Sequence, residues 1–282
     1  MIEPALAFAD LTLGYNRHPA VHHLDGHVAR GSLTAIVGPN GSGKSTLMKG
    51  IVGVLPPMAG AVRLPDGARI AYLPQQSEID RSFPARVIDL VRLGLWRRRG
   101  LLGRYTPEDH QRCRSALTAV GLTGFEERPI DTLSGGQLQR ALFARVLVQD
   151  ADIILLDEPF NAVDSQTVGD LLALIRRWHG EGRTVLVVVH DLDLVRRHFP
   201  DTLILARGLV AWGRTQDVLL PENLSRARGF DEAWSEDAPW CEADDEHGHA
   251  EGGSIVLDGL DSHHGHAHHA HAGDAARRRG IM

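Results

Sequence analysis

Cysteine is nearly missing from this sequence: Cys113 and Cys241 are the only two in 282 residues. Two thiols so far apart make neither a disulfide framework nor a metal-ligand pair, and a reducing cytoplasm is the simplest setting. Long apolar runs are missing as well. No stretch approaches the ~18 residues that a membrane span needs. The longest, around Ile153–Leu156 and Val185–Val189, are strand-sized. The N-terminal MIEPALAFAD has neither a basic start nor an extended apolar segment, so it does not read as a signal peptide. A basic stripe is the third absence. The net charge is −6, and residues 231–282 carry 12 acids against three arginines, a balance of −9 that leaves the body at +3. A near-neutral body with an acidic tail lacks the electrostatic footprint of a nucleic-acid binder, and no nucleic-acid partner is expected. The length suffices for one large domain with a real core and an appendage.

What is present centres on GPNGSGKST, Gly38 to Thr46. Gly38, Gly43, Lys44 and Ser45 stand where the phosphate-binding loop G-x-x-x-x-G-K-[ST] requires them. A triphosphate needs several N–H donors aimed inward, and only a loop poor in side chains brings the backbone that close. Gly38, Pro39, Asn40, Gly41, Ser42 and Gly43 supply such a loop, with Gly41 and Gly43 removing steric barriers. Lys44 can reach the β- and γ-phosphates as a point charge, and the Ser45 hydroxyl can ligate Mg²⁺. The apolar strand at residues 32–37 leads in, and a helix from Ser45 to Gly53, with Thr46 in its first turn, leads out. The helix N-terminus faces the phosphates.

Upstream, residues 5–13 and 21–29 read as strands, with Tyr15 at the end of the first. His22, His23 and His27 read as solvated strand histidines, with metal ligation as the alternative. Downstream, Pro56-Pro57 and Gly60 break the chain. Strands at 61–64 and 69–73 are expected to complete an N-terminal β-rich lobe. Leu73-Pro74-Gln75-Gln76 ends the second. Residues 84–148 read as helical. Within them Thr106-Pro107-Glu108-Asp109 carries a Thr cap, Pro at the first position and an acid at the third, and that helix stops at Gly121. Arg97-Arg98-Arg99 reads as a solvated basic loop, with contact to anionic lipid or a partner as the alternative.

Leu133-Ser134-Gly135-Gly136-Gln137 opens a further helix. A Ser cap followed by two glycines exposes N–H groups at the positive end of a helix dipole, a second anion site in one chain. Two such sites cannot easily hold the same phosphates within one small domain, and a dimer in which each completes the other's resolves this. ADIILLDEP ends a buried strand in two carboxylates, Asp157 and Glu158, whose directions are expected to differ by strand alternation. One can support Mg²⁺ while the other reaches a water, and such acids are costly to bury without a task. Asp164 caps the helix running to Trp178. Another buried strand, 184–189, ends at His190-Asp191, where a histidine beside a γ-phosphate site reads as functional. The strands at 202–206 and 210–212 form a closing hairpin, with helix near 217–228. The alternation after residue 31 implies a mainly parallel sheet with functional groups at strand C-terminal ends.

GPNGSGKST, LSGGQ, ILLDEP and VVVHD in this order resemble the ATPase subunit of an ATP-binding-cassette (ABC) transporter, over about residues 5–228. The resemblance implies an α/β P-loop NTPase fold with an N-terminal antiparallel β lobe. It implies an ATPase domain over residues 1–230 with a helical subdomain at about 76–150; residues 231–282, rich in Asp, Glu, Gly, Ala and His, read by composition as a disordered tail. The resemblance implies ATP and Mg²⁺ as cofactors. Tyr15 would stack on adenine. Gln75 would sense Mg²⁺ and the attacking water. Ser134, Gly135, Gly136 and Gln137 would clamp the γ-phosphate of ATP on the partner protomer. Asp157 would support Mg²⁺, Glu158 would polarise the water and His190 would steady the γ-phosphate. Asp164 would lie in the loop that links the two sites; the turn reads NAVD where many members have SALD, and the aspartate is kept. A separate ATPase implies an importer: a homodimer on the cytoplasmic face of the membrane, two permease subunits and an extracytoplasmic metal-binding protein. PQQSEIDRSFPARVIDLVRLG and DEPFNAVD look most like zinc and manganese importers. Iron- or cobalamin-chelate import, and a soluble cassette ATPase acting on ribosomes, are the alternatives.

Eight of the 16 histidines lie in the tail, at His247, His249, His263, His264, His266, His268, His269 and His271. Such a tract is compositionally metal-binding. Imidazole suits Zn²⁺, Ni²⁺ and Cu²⁺ better than Mn²⁺, so the tail tilts the expected cargo to zinc and makes bound Zn²⁺ a further expectation.

Overall fold

In the computed structural model, residues 4–100, 103–232 and 256–257 are described. The tail histidines and Cys241 lie outside them, while Cys113 is a buried free thiol.

Strands β1 (Pro4–Tyr15) and β2 (His18–Ala29) form an antiparallel hairpin, and β4 (Ala59–Leu64) pairs antiparallel with the other side of β1. The two-residue β10 (Val256–Leu257) adds parallel to β4. A second sheet holds β3 (Leu33–Val37), β5 (Ile70–Leu73), β6 (Ile153–Leu156), β7 (Thr184–Val188), β8 (Asp201–Ala206) and β9 (Gly208–Arg214), in the order β5-β6-β7-β3-β8-β9. All its pairs are parallel except the β8–β9 edge.

The sequence placed β5 in the N-terminal lobe, and the structure moves it. It pairs with β6, because both of its faces are apolar enough to be covered. Ala71 and Leu73 pack into the core beneath the helices, while Ile70 and Tyr72 pack toward the antiparallel sheet. Strands β3, β6 and β7 are buried at every residue, the expected pattern for parallel strands covered on both sides. On one face lie α1 (Lys44–Val52) and the antiparallel sheet, around Leu13, Leu47, Ile51, Leu155 and Leu186. On the other lie α5 (Gly135–Gln149) and α6 (Ser165–Gly180), with Phe143 stacked on Trp178 at 5.7 Å between centroids.

The stretch read as helical holds four α-helices: α2 (Val87–Arg92), α3 (Trp96–Arg99), α4 (Pro107–Ala119) and α5. Glycines end two of them. Gly100 follows α3 with φ 64° and Gly121 follows α4 with φ 73°, conformations that terminate a right-handed helix. The start of α4 is as expected: Thr106 Oγ1 accepts from Asp109 N, and the Asp109 carboxylate accepts from Thr106 N. The arginine run is not a loop. It forms α3, where Arg97 donates to the Ala68 carbonyl and Arg99 pairs with Asp109 at 2.6 Å. The chain closes with α7 (Leu192–His198), α8 (Thr215–Val218) and α9 (Pro221–Glu232). Among the described residues, no helix is long and apolar enough to cross a membrane.

Candidate functional site

Register decides where the site falls. Leu73 pairs with Leu156, Leu156 with Val187, and Ile36 with Val188. The C-terminal ends of β5, β6, β7 and β3 therefore lie side by side, and the residues just beyond them meet. Those residues are Gln75, Asp157 and Glu158, His190, and the phosphate loop.

The loop runs from Gly38 to Gly43 into α1, with Gly43 at its N-cap. Gly43 has φ 93°, and a Cβ there would stand 2.4 Å from the Ala20 carbonyl oxygen, so no other residue fits. Gly41 has open space around it, and only its φ of 76° favours glycine. Lys44 is buried, and its Nζ donates to the carbonyls of Gly38 (3.0 Å) and Pro39 (2.7 Å), which stitches the loop around the ammonium. Burial lowers the Lys44 pKa, and the charges of Glu158 and Asp157 oppose that shift.

Gln75 Nε2 donates to Ser45 Oγ at 3.2 Å and so ties the end of β5 to the first turn of α1. Asp157 is fully buried. Tyr72 Oη donates to its Oδ2 at 3.4 Å, while its Oδ1 is a buried atom with no hydrogen-bond partner. Burial pushes the Asp157 carboxyl up to about 6, with the Ser45 hydroxyl pulling it down and the Glu158 charge raising it. Burial and the Asp157 charge likewise push the Tyr72 phenol up, which keeps it a donor.

Glu158 corrects one expectation. Its divergence from Asp157 does not come from strand alternation, because β6 ends at Leu156 and Glu158 has φ 51°. That left-handed backbone is costly for a glutamate and swings its carboxylate out of the sheet. There Oε1 lies 2.7 Å from His190 Nε2, and Oε2 accepts from Asn161 Nδ2. A carboxylate only accepts, so the pair sets the imidazole proton on Nε2. The chain can turn at His190 because Asp191 caps α7 through the N–H groups of Asp193 and Leu194.

Ser134 caps α5 as read from the sequence: its Oγ accepts from Gln137 N, and Gln137 Oε1 accepts from Ser134 N. Asp164 caps α6, with both oxygens bonded to Thr167. Arg140 joins the two caps' helices by reaching Thr167 Oγ1 at 3.2 Å and Asp170 at 2.6 Å. Tyr15, half exposed at the end of β1, stands at the hairpin turn opposite His18. Sequence reasoning missed Tyr72 and Asn161. Tyr72 alone left a signal, as a lone polar-tipped ring in an otherwise aliphatic strand. His23 also differs from its reading: backbone irregularity in the hairpin brings Asp10 Oδ1 within 2.7 Å of its Nδ1. Even so, no cluster of three or more His, Cys, Asp or Glu suited to a metal occurs among the described residues.

A phosphate loop feeding a helix, a buried aspartate two strands away and polar groups converging from neighbouring strand ends define a P-loop nucleoside triphosphatase. The ABC transporter model matches residues 21–161, and the chain belongs to that family as an ATP-hydrolysing subunit. It is 41% identical over 225 residues to the manganese transport system ATP-binding protein MntB of Listeria monocytogenes, covering 78% of this chain and 94% of that protein. It is 40% identical over 231 residues to the zinc transport system ATP-binding protein TroB of Treponema pallidum, covering 80% and 87%. Among solved structures it resembles a chain of an ABC transporter in an inward-facing conformation, with 28% identity, a TM-score of 0.72 and coverage of 80% and 90%. It also resembles the ATP-binding cassette MJ0796, solved as a dimer bound to ADP and Pi, with 26% identity, a TM-score of 0.66 and coverage of 74% and 98%. The residues at the site fit Mg²⁺: a buried carboxylate oxygen without a partner, a serine hydroxyl and an amide oxygen are hard oxygen donors.

Proposed function

We propose that this chain powers import of a divalent transition metal, with zinc as the cargo. The observation that carries the ATPase mechanism is the convergence of Gln75, Asp157 and Glu158 on Lys44 and Ser45, with His190 paired to Glu158. ATP phosphates lie against the N–H groups of residues 38–46, with Lys44 turning from its own loop to the β- and γ-oxygens, and Tyr15 stacks on adenine. Ser45 and Asp157, with Gln75, would hold Mg²⁺, which when bound would supply positive charge against the charge developing on the phosphates. Glu158 orients and polarises the attacking water. His190, whose Nε2–H is held by Glu158 here, turns that donor to steady the γ-phosphate when nucleotide is bound.

The working unit is a homodimer. Ser134 to Gln137 of one protomer meets the γ-phosphate held by the other, and Asp164 links the two sites. Residues 1–230 form the ATPase domain, with a helical subdomain at about 76–150. Residues 231–282 are an appended tail. The dimer sits on the cytoplasmic face of the membrane against two permease subunits, which receive metal from an extracytoplasmic binding protein.

Zinc rests on the imidazole-rich tail, whose ligands suit it better than manganese. On this reading the tail buffers or senses Zn²⁺ arriving in the cytoplasm. Manganese is the second reading, favoured by the similarity to MntB. The inward-facing transporter, provisionally assigned to the metal-chelate type, lends weight to a chelate cargo. Elemental analysis of cells carrying wild type or Glu158→Gln, grown in chelated medium and then given limiting zinc and manganese, separates these. A selective zinc deficit supports the first reading, and a manganese deficit overturns it in favour of the second. No deficit in either metal argues against both. Deleting residues 245–282 tests the tail: unchanged uptake with unchanged dependence on cytoplasmic zinc removes it from the mechanism.

A further inference from the structure

The segment that leaves β5 makes two attachments to the turn that opens α5. Gln76 Nε2 donates to the Gly135 carbonyl at 2.8 Å, and the Arg81 guanidinium donates to the Leu133 carbonyl. These carbonyls flank Ser134 on either side. Both donors are half-buried, whereas Ser134 is exposed. Local structure aims them. Residues 76–78 form a single 3₁₀ turn directly after Gln75. The Asp80 carboxylate accepts from both Ser82 N and Ser82 Oγ, which closes a tight turn with Arg81 at its centre.

The turn they grip has little freedom left. The side chains of Ser134 and Gln137 occupy each other's backbone N–H groups. The N–H groups of Gly135 and Gly136 lie in the first turn of α5 and have no partner within the helix. At Gly135 a Cβ would stand 3.1 Å from the Ala162 carbonyl oxygen, so the turn is also wedged against the segment before Asp164. Holding a peptide by its carbonyls fixes where its N–H groups point, because the two dipoles of a trans peptide are opposed.

We propose that Gln76 and Arg81 are positioning residues. They clasp the carbonyls around Ser134 and thereby set the direction in which residues 134–137 present their donors to a phosphate. This rests on the reading above that the turn meets the γ-phosphate on the partner protomer. It adds a consequence for neighbouring glutamines. Gln75 reaches Ser45 in the protomer's own phosphate loop, and Gln76 reaches Gly135 in the turn it offers to the partner. Any displacement of the segment leaving β5 moves both half-sites together.

The test uses the purified full chain. ATP hydrolysis is measured against ATP concentration, and a fluorescent ATP analogue reports binding by the monomer at low protein concentration. Gln76→Glu keeps the shape and turns the donor into an acceptor facing the Gly135 carbonyl. The expected result is a kcat lowered roughly tenfold or more, since small misplacements of catalytic groups are costly. Analogue binding stays within about twofold, because the protomer's own loop is untouched. Arg81→Ala behaves likewise, and Arg81→Lys, which keeps a donor, recovers at least about half of the lost rate. Ser134→Arg is the reference. If it abolishes turnover while Gln76→Glu and Arg81→Ala hydrolyse like wild type, the clasp is overturned and the role of the turn stands. If Ser134→Arg hydrolyses normally, the role of the turn fails and the clasp fails with it. Parallel loss of analogue binding and turnover in the clasp variants marks general damage and also overturns the proposal.

Discussion

Glu158 and His190, from the ends of adjacent strands, face each other with 2.7 Å between Oε1 and Nε2. Each fixes the other: the histidine anchors a carboxylate on a left-handed backbone, and the carboxylate sets the imidazole tautomer. Replacing Glu158 with Gln keeps the volume and removes the carboxylate that the proposed mechanism turns on the attacking water. Turnover should fall by roughly 10²–10⁴, while ATP affinity changes by less than about twofold. Steady-state hydrolysis beside equilibrium binding checks this, and near-normal hydrolysis would take Glu158 out of the chemistry.

Asp157 carries a different cost. It is fully buried, with one oxygen lacking a partner. A buried charge in that position destabilises the protein until a cation arrives. Asp157→Asn is therefore expected to raise the melting temperature without nucleotide and to abolish the further rise that Mg²⁺-ATP gives wild type. A melting series with ATP and increasing Mg²⁺ reads both effects. A lower starting temperature, or an unchanged Mg²⁺ response, would contradict the assignment.

Away from the site, Asp109 gives a pH-dependent signature. Its carboxyl is held down to about 2 by the Arg99 hydrogen bond and by the Thr106 N–H. In the unfolded chain an aspartate titrates near ~3.9. The folded value is the lower one, so the contribution is fully present above ~4 and is lost as pH falls toward about 2. The melting-temperature difference between wild type and Asp109→Asn should shrink steadily over that window. A gap that persists unchanged to pH 2 would assign it to packing rather than charge.

Trp178 stacks on Phe143 with planes 9° apart and joins α6 to α5. Truncation to Ala should cost about 3–5 kcal/mol, and Phe in its place should cost less. Chemical denaturation measures the difference. A loss under about 1 kcal/mol would mean that the site collapses around the deletion.

The sequence makes the phosphate loop legible because its chemistry demands particular residue types at fixed spacing. Strands β3, β6 and β7 are legible because a parallel strand buried on both faces must be apolar throughout. The caps at Thr106, Ser134 and Asp164 are legible because each side chain satisfies its own helix, a few residues away. What pairs with β5 is not local, since a short apolar strand carries no mark of its neighbour, and it was assigned to the wrong sheet. The backbone of Glu158 was hidden for another reason: nothing in the one-letter code of a glutamate announces φ 51°. Gln76 and Arg81 were least visible of all. Their partners are main-chain carbonyls, which every residue possesses.

The alignment of strand ends limits how this chain can change in length. Removing one residue from β5, β6 or β7 would retract its terminal side chain by ~3.3 Å and turn alternate side chains to the opposite face. No neighbouring strand could follow, because each carries its own contribution at the same height. Insertions and deletions should therefore be purged from these strands, while the helical excursion between β5 and β6 is free to lengthen wherever it leaves the turn at Ser134 in place. In a collection of diverged copies, the strands would act as a ruler of constant length and the excursion as the part that records divergence.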